Sequence, residues 1–155
     1  MEDLSKIIVE TLKNKNETIS FMESCTGGFL ANQLTNIDGA SNVLKVSLVT
    51  YSNEYKIKFG VDKNIINAKG VYSNFTSQEM AEKVSQFAKS NWGIGITGEL
   101  GNEDKNKVYY TIYNNNGNNI EFYDYAVFAE GNTREEKKQF IAEEILGELC
   151  KRIRS

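Results

Sequence analysis

The sequence predicts an α/β protein: a three-layer α/β/α sandwich with a mixed, mostly parallel sheet of about five strands. Three observations carry this. Helix-patterned and β-rich segments alternate through the first two-thirds of the chain, the arrangement of parallel strands joined by crossover helices. Two β-rich runs near the end meet across Asn114-Asn115-Asn116-Gly117-Asn118, whose Asn-Gly step signals a hairpin and makes at least one strand antiparallel. No linker composition and no internal repeat breaks the 155 residues, so residues 1–155 read as one domain.

Taken in order, Leu4, Ile7, Ile8 and Leu12 recur at helical spacing and predict an amphipathic helix over residues 3–14. After a polar break, residues 18–22 are short and β-rich, a strand. Thr26-Gly27-Gly28 precedes a helix marked by Phe29, Leu30 and Leu34 that ends near Asn36, and Asp38-Gly39-Ala40-Ser41 is a turn. Residues 43–51 (VLKVSLVTY) form a second strand. Residues 53–59 make one or two helical turns closed by Gly60, and residues 62–68 make another short helix. After a loop over 70–75, Thr76 is expected to cap a helix in a capping box with Glu79, and Met80, Val84, Phe87 and Ala88 form that helix's buried stripe. WGIGIT (92–97) is an apolar strand softened by glycines. A polar loop follows over 98–107, in which Glu103-Asp104-Lys105 reads as a solvated charge cluster. Residues 108–113 and 120–129 are the hairpin strands. Gly131-Asn132-Thr133 opens a long helix with Phe140, Ile141, Ile145, Leu149 and Ile153 on one face.

Composition narrows the chemistry. With 18 Lys+Arg against 21 Asp+Glu the net charge is −3, and no basic excess points to nucleic acid. The absence of histidine excludes a Ser-His-Asp or Cys-His machine and any His-ligated metal, so a general base must be Lys, Tyr, Asp or Glu. Two cysteines, Cys25 and Cys150, lack the spacing of a zinc site or a disulfide framework; no metal site is expected, and free thiols fit a reducing, cytoplasmic setting. No apolar run is long enough for a membrane span, and the acidic, amphipathic start is unlike a secretory signal. All three arginines (Arg134, Arg152, Arg154) lie in the last 22 residues, so anion binding elsewhere is expected to use lysines, hydroxyls or backbone N–H groups.

Three strand-end loops carry the candidate chemistry. Glu23-Ser24-Cys25-Thr26-Gly27-Gly28 lies between a strand and a helix, where free N–H groups and the helix dipole converge to hold a phosphate or an oxyanion. It fits neither the dinucleotide fingerprint nor the Walker motif. The alternative is that Ser24 and Thr26 simply cap the helix. Thr50-Tyr51-Ser52-Asn53-Glu54-Tyr55-Lys56 leaves the second strand, and sites in parallel sheets gather beyond the strands' carboxyl ends. A partly desolvated Lys56 near Ser24 is a histidine-free way to activate a hydroxyl; an ordinary surface lysine is the bland alternative. Cys25 competes with Ser24 as nucleophile because a helix N-terminus lowers a thiol pKa, or else it is a small apolar filler. Thr97-Gly98-Glu99-Leu100-Gly101-Asn102 is either a ligand-covering loop or a plain connection.

These loops, in this order, resemble the CinA C-terminal domain family, the nicotinamide mononucleotide deamidases. E-S-C-T-G-G stands at 23–28 and V-T-Y-S-N-E-x-K at 49–56. Ile37-Asp38-Gly39-Ala40-Ser41, Phe59-Gly60-Val61, Gly70-Val71-Tyr72-Ser73 and Gly131-Asn132-Thr133-Arg134 resemble further family turns, so the likeness covers nearly the whole chain. The resemblance implies the three-layer fold and an amidohydrolase that converts nicotinamide mononucleotide to nicotinate mononucleotide and ammonia, with no cofactor. It implies a small pyridine nucleotide as ligand, no nucleic acid or membrane partner, and self-association into a homo-oligomer. The chain looks like the form without the extra N-terminal domain. Carried over, Ser24 is the nucleophile, Lys56 its base, and Tyr51 orients Ser24 or relays its proton. Cys25, Thr26, Gly27, Gly28, Asn53, Ser73, Thr97 and Gly98 are the substrate-binding positions, with backbone around Thr26 and Gly27 holding either the oxyanion or the phosphate.

One departure bears on activity. The family's glycine-rich loop of the form G-P-x-G-G is shortened after Thr97-Gly98, and Glu99 occupies a position that is usually apolar. The alternative reading is therefore a catalytically impaired relative that binds a nucleotide or a partner. A Glu99 facing a phosphate would be unfavourable unless it points away.

Overall fold

In the computed structural model, which describes residues 3–102 and 105–155, the elements run in chain order as α1 (Leu4–Lys15), β1 (Ile19–Glu23), α2 (Phe29–Thr35), β2 (Leu44–Val49), α3 (Asn53–Lys58), α4 (Lys63–Lys69), α5 (Asn74–Ala88), β3 (Trp92–Gly98), β4 (Lys107–Asn115), β5 (Ile120–Phe128) and α6 (Arg134–Arg154), with a short 3-10 turn at Ala40–Asn42. The Glu103-Asp104 part of the expected charge cluster lies outside the described residues.

The sheet order is β2-β1-β3-β4-β5. β1 pairs parallel with both β2 and β3, while β3–β4 and β4–β5 are antiparallel. The sheet is thus mixed, with every strand but β4 pointing the same way. β1 and β3 are buried along their whole length, as strands covered on both faces must be. One face is covered by α1, α2 and α6, whose Ile8, Leu12, Leu30, Ile141, Ile145 and Leu149 join the main core. The other face carries a smaller core of Met22, Val61, Ile66, Met80 and Val84.

The glycines of WGIGIT explain how α5 lies so close. A Cβ on Gly93 would stand 2.1 Å from the Ala81 carbonyl oxygen, and one on Gly95 would stand 2.3 Å from that of Ser77. The helix backbone rests directly on the strand backbone, and only glycine fits between them.

Two local expectations give way. Ser73, not Thr76, caps α5: its hydroxyl accepts from the Thr76 N–H at 3.2 Å. Thr76 is buried inside the first turn and donates to the Gly70 carbonyl at 2.8 Å, and Glu79 accepts from the Asp62 N–H at 3.1 Å, so no capping box forms. The chain turns one residue triplet earlier than the periodicity suggested, because Gly70 supplies the left-handed conformation (φ +87°) that starts the turn. Phe87 leaves the expected stripe: it is 61% exposed and packs edge-to-face on Phe59, with ring centroids 5.8 Å apart. Among the described residues no helix is long and apolar enough to cross a membrane.

Candidate active site

The carboxyl ends of β1, β2 and β3 lie side by side in the sheet and open into a cavity of about 320 Å³. Ser24 and Cys25 reach it from β1, Tyr51, Asn53 and Lys56 from the segment after β2, and Gly98 and Glu99 from β3.

A direct side-chain contact joins the first two groups. α3 starts at its cap Ser52, whose side chain accepts from the Tyr55 N–H, and its first turn points Lys56 inward. Lys56 is 2% exposed. Its Nζ lies 3.0 Å from Ser24 Oγ and donates to the Thr50 carbonyl at 2.7 Å. Among the described residues no carboxylate shares the contact. Burial pulls Lys56 down to about 8, with the neighbouring Cys25 acting the other way. Cys25 moves oppositely: burial pushes its thiol up to about 12, against smaller effects from its own backbone, Lys56 and Arg134. The lowered thiol pKa that a helix N-terminus would give is absent, because Cys25 is packed into the core and not presented to the dipole.

The same turn is closed by Glu23, a residue to which the sequence pattern gives no role. It is fully buried at the end of β1. One carboxylate oxygen accepts from Thr26 Oγ1 at 2.6 Å and the Leu30 N–H at 3.1 Å; the other accepts from the Ala31 N–H at 3.0 Å and Ser47 Oγ at 3.2 Å. The first turn of α2 is therefore closed by the protein's own anion, and it is no phosphate site. Thr26 faces Glu23 and not the cavity. The Gly27 N–H is taken by the Ser24 carbonyl at 3.0 Å, which corrects the expectation of a free donor there. Gly27 and Gly28 serve the tight turn itself, with φ of +58° and +95°.

The other expected residues divide. Asn53 and Gly98 line the cavity. Thr97 is fully buried and donates to the Val71 carbonyl at 3.0 Å, which fixes the 71–72 segment at the cavity wall. Ser73 is a helix cap and lies outside the lining. Tyr51 is 63% exposed, and its hydroxyl accepts from Arg134 Nη2 at 3.0 Å; among the described residues it makes no hydrogen bond to Ser24.

Arg134 overturns the expectation that the tail's arginines stand apart from the anion-binding loops. It opens α6, lines the cavity, and its Nη1 donates to the Leu100 carbonyl at 2.6 Å. Lys137, one turn on, donates to the Gly101 carbonyl. The shortened loop after β3 is thus fastened to α6. The Gly131-Asn132-Thr133-Arg134 turn was the available signal, but its reach to Ser24 spans most of the chain. Lys105 and Glu99 also line the cavity, so its lining carries the basic residues Lys56, Lys105 and Arg134 and the acidic Glu99. Among the described residues no His/Cys/Asp/Glu cluster could hold a metal ion.

Residues 1–149 match the model of the CinA C-terminal domain. A protein of Caldanaerobacter subterraneus subsp. tengcongensis named as competence-damage inducible is 44% identical over 101 residues, covering 64% of this chain and 24% of its own length. A CinA-like protein of Prochlorococcus marinus subsp. pastoris is 35% identical over 123 residues, covering 75% and 28%. The chain spans about a quarter of the length of these curated relatives. Among solved structures, a CinA superfamily protein from Klebsiella pneumoniae superposes with a TM-score of 0.89 at 20% identity, over 99% of this chain and 98% of that one. One from Enterobacter cloacae gives 0.86 at 24% identity, over 97% and 90%. At these identities the structures speak for the fold.

Proposed function

Since the chain belongs to the CinA C-terminal domain family, we propose that it is a serine amidohydrolase that converts nicotinamide mononucleotide to nicotinate mononucleotide and ammonia. The observation that carries this reading is the buried Lys56 Nζ 3.0 Å from Ser24 Oγ, with no carboxylate between them, at the wall of an open cavity. A lysine held near 8 by burial is neutral in part at neutral pH, and its lone pair then accepts the Ser24 hydroxyl proton.

The chemistry is acyl transfer. Ser24 Oγ attacks the carboxamide carbon as its proton passes to Lys56, and the carbonyl oxygen becomes an oxyanion. In the turn after Ser24 the Gly27 N–H is already taken, so the main-chain N–H groups of Cys25 and Thr26 are the candidate donors to it. The C–N bond breaks, Lys56 returns the proton to the leaving nitrogen, and ammonia departs. Water then attacks the ester, giving a proton to Lys56, and the C–Oγ bond breaks as Ser24 recovers its hydroxyl. Thr50, through its carbonyl, orients the amine. Arg134 and Lys105 supply positive charge for the phosphate.

A second reading, a relative that binds without turnover, is favoured by the short loop after β3, whose Leu100 and Gly101 carbonyls are engaged by α6. Ammonia release from nicotinamide mononucleotide separates the two. Loss by about a thousandfold or more in Ser24→Ala and Lys56→Met, with turnover retained in Cys25→Ala, supports the amidase. No release by the wild-type protein, with thermal stabilisation by the nucleotide, supports the binder.

A further inference from the structure

Among the described residues the Glu99 side chain has neither a hydrogen-bond nor an ion-pair partner, although it lines the cavity. Arg134, on the same wall, is already engaged by Leu100 and Tyr51. Two tyrosines line the same cavity and are partly exposed: Tyr51 at 63% and Tyr72 at 47%. The Tyr72 hydroxyl is raised above its ordinary pKa by burial first and by the Glu99 charge second, with smaller contributions from Cys25 and Tyr51, so the carboxylate's field reaches that ring. A carboxylate without a partner and two tyrosines on one cavity lining can attract a cation, through the charge and the ring quadrupoles together.

We propose that Glu99, with the faces of Tyr51 and Tyr72, forms a subsite for a quaternised aromatic nitrogen, so that the cavity selects pyridinium carboxamides over neutral aromatic carboxamides. The inference deepens the amidase reading and rests on it for the placement of the carboxamide at Ser24. In such a ligand the positive ring nitrogen is meta to the carboxamide carbon, so a ring whose amide meets Ser24 carries its charge within the same cavity. Neutral nicotinamide offers Glu99 nothing and leaves it partly desolvated without a counter-charge. A nucleotide adds a phosphate at the far end, where Lys105 and Arg134 lie on the lining. The cavity's mixed charge thus matches a zwitterion, which gives the acidic residue of the shortened loop a use in place of a penalty.

The test pairs two probes of the same shape that differ in charge, 1-methylnicotinamide and 3-methylbenzamide. Binding to the full chain is followed by amide chemical-shift titration, which needs no turnover. We expect the wild type to favour the cationic probe by about five- to tenfold, from one exposed ion pair and one or two ring contacts. Glu99→Gln should remove most of that preference, and Glu99→Asp should keep part of it. An equal preference in Glu99→Gln, no preference in the wild type, or no measurable binding of either probe overturns the inference. Ammonia release from nicotinamide mononucleotide is measured beside it. A charge preference lost in Glu99→Gln without wild-type turnover keeps the subsite and rejects the amidase; turnover without the preference does the reverse.

Discussion

Replacing Lys56 by methionine keeps a long unbranched side chain, one atom shorter, and removes its charge. Burial draws Lys56 from 10.5 to about 8, so between those values the unfolded chain binds one more proton than the folded one. Stability therefore rises with pH across that window. Below it the folded protein bears the full cost of an ammonium in a dry site, about 3 kcal/mol at roughly 1.4 kcal/mol per unit. Methionine has nothing to titrate. At one pH the variant mixes two opposed effects: relief of that cost, and loss of the donor to the buried Thr50 carbonyl and to Ser24, about 1–3 kcal/mol. The change of the difference with pH is free of this mixture, because every other group titrates in both proteins. From about pH 7 to about pH 10 the wild type should gain about 2.5 kcal/mol relative to Lys56→Met. Urea unfolding followed by the fluorescence of the buried Trp92 reads both proteins across the range. A difference that stays flat within about 0.5 kcal/mol, or that moves the other way, would refute the reasoning: Lys56 would then hold its proton as an ordinary lysine does and would be no base at neutral pH.

The same titration governs turnover, so kcat/KM should climb about tenfold per pH unit and level off above about pH 8; a profile flat from about pH 6 would remove Lys56 as the base. Glu23→Gln leaves two of the four donors facing an amide NH2 and should cost about 3 kcal/mol in denaturant unfolding, whereas a loss below about 1 kcal/mol would show that the turn holds without the carboxylate. Gly95→Ala drives a methyl into the Ser77 carbonyl and should destabilise by about 2 kcal/mol or more, while Phe87→Ala, at an exposed ring, should cost no more than about 1 kcal/mol; the reverse order in melting experiments would contradict the packing of α5 on β3.

What was legible in the sequence follows a physical rule. Local periodicity and turn chemistry are short-range, and they delivered the element order, the hairpin at Asn116-Gly117 and the apolar face of α6. Ser24 and Lys56 were recognisable as partners because both follow strands whose parallel pairing brings their ends together. Glu23 was hidden because nothing local separates a carboxylate that closes a helix end from one at a solvated strand end; its four donors come from three segments. Arg134 was hidden because its place in the cavity depends on how α6 lies against the loop after β3. Thr76 and Phe87 were misread for the complementary reason: each suits the helix pattern, but the cap falls three residues earlier, at Ser73, and Phe87 is left exposed against Phe59.

The grip of α6 on the cavity also sets an order of events during synthesis. A ribosome delivers Ser24 and Lys56 well before the arginine that ties Tyr51 to Leu100, which emerges only with α6. That helix also docks against α1, where Lys15 donates to the Ile153 carbonyl and Cys150 lies 3.7 Å from that of Leu4. The packing of α1 is therefore not complete until α6 has been made. A nascent chain halted before residue 134 would hold the reacting pair in sequence but not the wall around it, so the pocket is complete only once α6 has been made.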